Sequence, residues 1–173
     1  MPRRFQAGFS LVEVLVALTI LVIGLLGLAG LQLAALRWTT DASRTAAVAR
    51  LGQEMAEKLR SQPGQVDRYL AAARTEAVAN PACYGASGCP ADVMAATDVA
   101  EWRALVAAAL PAGFATLCRD RSPGDGSVAN PDCSGGATDP VVMKFWWTAR
   151  DARGRSVDVD TLSAPVAVLP LRP

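Results

Sequence analysis

The sequence predicts an α+β chain, with one long N-terminal helix packed on a small antiparallel β-meander. Three observations carry this reading. From Phe9 to Leu36 the only ionisable side chain is Glu13. From Arg37 to Ser61 apolar residues recur at spacings of three and four, the pattern of a helix with one covered face. Residues 141–162 read as strand, turn and strand.

The apolar run is 28 residues long. As helix it would span about 42 Å, more than the roughly 30 Å hydrocarbon core of a bilayer. Arg3 and Arg4 precede it with no acid beside them. That bias keeps the N-terminus cytoplasmic and sends the chain from about Arg37 onward across the membrane. A carboxylate such as Glu13 inside an apolar helix costs on the order of 2.5–3.5 kcal/mol near the bilayer centre, so it calls for a cation. The run itself holds no Lys, Arg or His. An amine at Phe9, four residues earlier, would lie one helical turn away, on the same chain or a neighbour, if the chain were cut between Gly8 and Phe9. Gly24, Gly27 and Gly30 recur at every third position, which suits either close helix packing or local softness.

Beyond the run the helix is expected to continue to Ser61, with Trp38, Ala42, Thr45, Val48, Gly52, Met55 and Leu59 along one stripe. Arg50 with Glu54, and Glu54 with Lys58, are spaced for pairs on its surface. Pro63-Gly64 ends it. Residues 66–79 are Ala-rich and partly helical, and Asn80-Pro81 stops them. Residues 83–90 form a Gly/Ser loop, and Asp92 to Leu110 form a further helix carrying Val99, Trp102, Val106 and Leu110 on one face. Gly113 to Arg119 is the first expected strand. Asp120 to Asp139, rich in Gly, Ser, Pro and Asp, is a long exposed loop pinned by Cys133. Val141 to Thr148 is the strongest strand, Asp151 to Gly154 a turn, and Ser156 to Leu162 the return strand. Ala164 to Leu169 offers one more, bounded by Pro165 and Pro170.

Overall mean hydropathy is +0.24, raised by the apolar run and many alanines. From Arg37 onward 15 basic side chains face 15 acidic ones. That balance argues against a nucleic-acid surface. Cys83, Cys89, Cys118 and Cys133 all fall on the exported side, where an even count reads as two disulfides. Three connectivities are open; Cys83 with Cys89 and Cys118 with Cys133 close the shortest loops and are the expected pairs. A zinc site is disfavoured, because paired zinc cysteines stand two to four residues apart, and here five and fourteen residues intervene.

The stretch Gly8-Phe9-Ser10-Leu11-Val12-Glu13, after its basic leader, resembles the class III signal of type IV prepilins and type II secretion pseudopilins. The resemblance implies a prepilin leader at residues 1–8, removed between Gly8 and Phe9 by a prepilin peptidase that also N-methylates Phe9. It gives Glu13 a role in assembly. It divides the rest into a transmembrane and filament-core helix at 9–36, its amphipathic continuation at 37–62, and a periplasmic pilin head at 63–173. A secretory signal cut after Gly27-Leu28-Ala29 would need a shorter apolar core. A plain anchor leaves the Gly8-Phe9 junction and Glu13 unexplained. Residues 17–32, residues 51–63 and Trp102-Arg103-Ala104-Leu105 with Leu110-Pro111 look like minor pilins of the PilV type.

That resemblance implies a type IV pilin-like fold and a non-catalytic minor pilin acting in initiation and assembly of a type IV pilus. Its expected partners are the prepilin peptidase, other minor pilins, the major pilin and the inner-membrane assembly platform. Its expected location is the inner membrane, then the filament or its tip. No cofactor, metal or nucleic acid is expected. The alternatives are a minor pseudopilin of a type II secretion system and an adhesive or ligand-binding module at a pilus tip. Catalysis is disfavoured because the chain has no His and its Ser residues have no evident base. Asp120, Asp125, Asp132 and Asp139 could ligate calcium, but their spacing is not that of an EF-hand and loops use Asp for turns. Trp146-Trp147 points two aromatics to opposite strand faces, one of which an adhesin could expose; otherwise one is core and the other lies under the loop.

Overall fold

A computed structural model describes residues 10–150 and 154–171. The expected leader at residues 1–8, the Gly8-Phe9 junction and most of the turn expected at 151–154 lie outside the described residues. The chain divides at Ser43 into two compact units, and α1 (Leu11–Ser61) runs through both.

In the first unit, residues 11–43 form helix with side chains exposed almost throughout. Its large apolar side chains are exposed from 47% at Val22 to 82% at Leu11. Thr19 disposes of its hydroxyl locally, donating to the Leu15 carbonyl at 2.8 Å. A helix apolar on all sides and exposed on all sides has water as the wrong solvent.

The second unit begins where α1 becomes amphipathic. Val48, Leu51, Gly52, Met55, Ala56 and Leu59 are buried along one stripe. Pro63–Gln65 turns the chain into α2 (Val66–Ala73), and α3 (Ala91–Ala109) follows after a short turn at Pro81–Tyr84. Three antiparallel strands make the main sheet: β1 (Phe114–Arg119), β2 (Val141–Trp146) and β5 (Ala167–Pro170), in the order β1-β2-β5. Phe114 stands opposite Trp146, and Met143 opposite Leu169. Helix and sheet meet tightly at Gly52, where a Cβ would lie 2.2 Å from Leu169 Cδ1. Trp102 of α3 joins the layers, donating its indole N–H to the Leu51 carbonyl at 3.0 Å and meeting Phe145 edge-on at 5.6 Å. The long N-terminal helix packed on a small antiparallel sheet is the expected α+β architecture.

The sheet departs from the expected meander. Ser156 to Leu162 does not return along β2. It pairs only at β4 (Ser156–Val157), with β3 (Ala149–Arg150), and then turns into a short 3₁₀ helix at Val159–Thr161. Asp158 is the reason: its carboxylate accepts the Asp160 N–H, a local bond that competes with a ladder. The third strand of the main sheet is instead Ala167–Pro170. Pro170 is tolerated because this strand lies at the edge.

Candidate assembly helix and the polar anchors of the head

The helix that carries the candidate site starts at Leu11. The Ser10 carbonyl accepts from the Glu13 N–H at 3.0 Å and the Val14 N–H at 3.3 Å, so Glu13 sits in the first turn. A carboxylate there opposes the partial positive charge of the helix N-terminus, a favourable placement. Of the expected site residues on this segment, Glu13 is described, whereas Gly8 and Phe9 lie outside the described residues. A Cβ added at Gly24, Gly27 or Gly30 would meet nothing within 4 Å. No intrachain contact explains these glycines, in contrast to Gly52.

The head places its cysteines in two bridges, Cys83 to Cys89 with Cα atoms 4.8 Å apart and Cys118 to Cys133 at 6.2 Å. The second bridge ties the end of β1 to the loop at 120–140. That loop is not simply exposed. Strand periodicity sends Met143, Phe145 and Trp147 into the helix-covered core and Val142, Lys144 and Trp146 to the other face. The loop covers that other face, and its Gly126 carbonyl accepts the Trp146 indole N–H at 3.2 Å. Both tryptophans are therefore buried, Trp146 at 0% and Trp147 at 7% exposure, and neither serves as an exposed adhesive aromatic.

Under the loop lies a buried lysine. Lys144 is fully buried and its ammonium contacts the Asp120 carboxylate, itself fully buried. It also donates to the carbonyls of Pro131 at 2.8 Å and Asp125 at 3.0 Å, and reaches Asp125 Oδ1 at 3.3 Å. Burial by itself would raise the Asp120 pKa, but the Lys144 ammonium and the Ser122 N–H hold it below the ordinary carboxylate value. At the loop's far end Asp139 accepts from the Ser134 hydroxyl at 2.6 Å, from the Arg121 guanidinium at 3.0 and 3.1 Å and from the Gly136 N–H at 3.0 Å. The Ser134 bond leads in lowering its pKa, against the opposing effect of burial. Asp132 occupies a left-handed turn at φ 51°.

The four loop aspartates thus do not converge as a calcium site: Asp120 and Asp125 bind a lysine, Asp139 an arginine, and Asp132 shapes a turn. Cys118, Asp120 and Cys133 bring ligand-type atoms within 4.8 Å of one another, but both sulfurs are spent in the disulfide. Lys144 was not a sequence-level candidate. Its only signal was a charge in the middle of a strand otherwise apolar on both faces.

A second buried polar node joins three helices. Asp98 of α3 accepts from Lys58 of α1 and from the Tyr69 hydroxyl of α2, each at 2.5 Å. Burial, followed by the bond to Asp98, pushes the Tyr69 hydroxyl well above its ordinary pKa. Lys58 therefore does not pair with Glu54 as its spacing allows; Glu54 meets Arg50 at 3.9 Å. Arg103 satisfies the end of α2, donating to the Ala73, Thr75 and Ala115 carbonyls. A surface groove of about 600 Å³ lies among Leu59, Val66, Val141 and Leu171. Within it Arg119 donates to Asp67 at 3.3 Å and to the Asp139 carbonyl at 3.4 Å, while Arg60 pairs with Glu57 at 2.8 Å.

Comparison with known proteins bears on both units. The sequence profile of the prokaryotic N-terminal methylation motif matches residues 3–29. The profile of the type IV pilin Tt1218 family matches residues 30–100. No curated protein and no solved structure matches the chain. The methylation motif implies processing by a prepilin peptidase, and the exposed apolar helix suits membrane anchoring. With the two profiles running in succession from residue 3 into α3, over a helix-on-sheet fold, the chain belongs to the type IV pilins, the structural subunits of pilus filaments.

Proposed function

We propose that this pilin is a minor one, of the PilV type, acting without catalysis in the initiation and assembly of a type IV pilus. Residues 1–8 are a leader removed between Gly8 and Phe9, and Phe9 becomes N-methylated. Residues 9–36 wait in the inner membrane with the N-terminus cytoplasmic, and the head from residue 63 is periplasmic. On assembly the Phe9 amine of one subunit and Glu13 of a neighbour pair, so that neither charge is left alone among apolar helices. Other minor pilins, the major pilin and the inner-membrane platform are the partners.

The observation that carries this reading is the first half of α1. It is apolar on every face, exposed on every face, and broken by one ionisable residue in its first turn. Such a surface is stable only when lipid or like helices cover it.

The test is intact mass and N-terminal sequencing of the protein from its native membrane, followed by its copy number in sheared filaments. A chain starting at N-methylated Phe9, present in few copies, and whose deletion removes most filaments, is the expected result. A start at Met1 or after Ala29 overturns the processing. Abundance equal to the bulk subunit overturns the minor role, and loss of secretion with filaments intact reassigns the chain to a type II secretion system.

A further inference from the structure

We infer that Trp38, with Arg37 beside it, sets the depth of α1 in the bilayer, and that this depth places Glu13 in the headgroup layer of the opposite face rather than in hydrocarbon. The inference rests on the membrane reading of the helix given above.

Trp38 is 73% exposed, whereas Trp102, Trp146 and Trp147 are at most 7% exposed. It is also the sole aromatic between Ser10 and Arg68. It stands two residues past Leu36, the last residue of the apolar run, and directly after Arg37. Thr39 and Thr40 follow, both donating their hydroxyls to the Leu36 carbonyl, at 3.0 and 2.9 Å. The helix thus changes from wholly apolar to polar within one turn, at an exposed indole. An indole with an apolar ring and one N–H donor belongs at the boundary between acyl chains and headgroups, and an adjacent guanidinium finds lipid phosphate there.

The depth of Glu13 follows from the helix itself. Glu13 lies 25 residues before Trp38 in one uninterrupted helix. At about 1.5 Å per residue that is roughly 38 Å, or roughly 35 Å along the normal for a tilt of about 20°. A hydrocarbon core about 30 Å thick, measured from Trp38, is used up by about residue 18. The carboxylate therefore sits several ångströms outside hydrocarbon, among the headgroups. Centring the core on the apolar run instead would put Glu13 at the hydrocarbon edge, so the two placements differ measurably.

The test uses the full chain reconstituted in phosphatidylethanolamine/phosphatidylglycerol vesicles. Lipids brominated near the headgroup are expected to quench the Trp fluorescence more than lipids brominated near the chain ends, and Trp38→Phe is expected to abolish the difference. In a second measurement, Val12→Cys and Leu25→Cys variants are exposed to a charged maleimide in vesicles opened to both faces. The Val12→Cys variant is expected to react at least ~10-fold faster than the Leu25→Cys variant, because the reactive thiolate needs water. Adding Trp38→Ser to Val12→Cys is expected to slow that reaction. A chain that does not float with the vesicles refutes the membrane reading itself. A chain that floats, but shows deeper bromines quenching more, Val12→Cys as slow as Leu25→Cys, or no effect of Trp38→Ser, overturns the depth inference alone.

Discussion

The residue on which most of the head's loop depends is Lys144. A buried ion pair adds little over an apolar pair of the same shape, yet removing one partner leaves the other charged and dry. Lys144→Met is therefore expected to destabilise the head by about 3–5 kcal/mol, measured by urea unfolding of the full chain in detergent. Adding Asp120→Asn should recover a large part of the loss, and a double change no better than the single one would rule out the pairing as the cause. Acid should act on the same node. The folded pKa of Asp120 is held low, so its stabilisation is present above the ordinary carboxylate pKa of about 4 and is lost as pH falls through the folded value. The thermal midpoint should drop below about pH 4, and Asp120→Asn should flatten that limb of the profile. None of this could be read along the chain, because Asp120 and Lys144 are 24 residues apart and only the sheet and loop together bring them into contact.

Among the elements, α1 holds glycines of two kinds. Gly52 is needed by packing, because a side chain there runs into Leu169. Gly52→Val should cost about 1–3 kcal/mol of head stability as an overpacked core position. Gly27→Ala meets nothing and should leave head stability unchanged while making the helix more favourable by up to about 1 kcal/mol. If softness or close helix contact in the filament needs that glycine, piliation falls although folding does not; normal filaments from Gly27→Ala would dismiss both roles. The periodicity of α1, α3, β1 and β2 was legible in the sequence to within a few residues at their ends. The return strand was not, since an alternation of Val and Asp looks like a strand until the aspartate finds a nearer N–H. Cover of one tryptophan by the 120–140 loop was one of two open readings, but its closure over Lys144 was not legible, since its composition looks like solvated turns.

For the molecule as a whole, the two units obey different solvents. The head closes its own core over the Lys144–Asp120 and Lys58–Asp98 pairs, whereas the large apolar side chains of residues 11–36 stand exposed. Glu13→Gln should accordingly leave the head's unfolding curve unaltered and sharply reduce the fraction of chain recovered in sheared filaments. Filaments incorporating the variant at the normal level would remove Glu13 from assembly.

What the chain alone determined is whatever depends on neighbours in sequence: the span and polarity of the apolar run, the lone carboxylate of Glu13 within it, and the family these mark. Periodicity and local spacing encode such features directly. The tertiary structure decided the rest: the strand that completes the sheet, the burial of both tryptophans, the choice of Asp98 over Glu54 by Lys58, and the lysine that occupies the middle of the aspartate-rich loop. Those outcomes turn on which distant groups are brought together in a dry interior. There an unpaired charge or N–H is costly enough to override local preference.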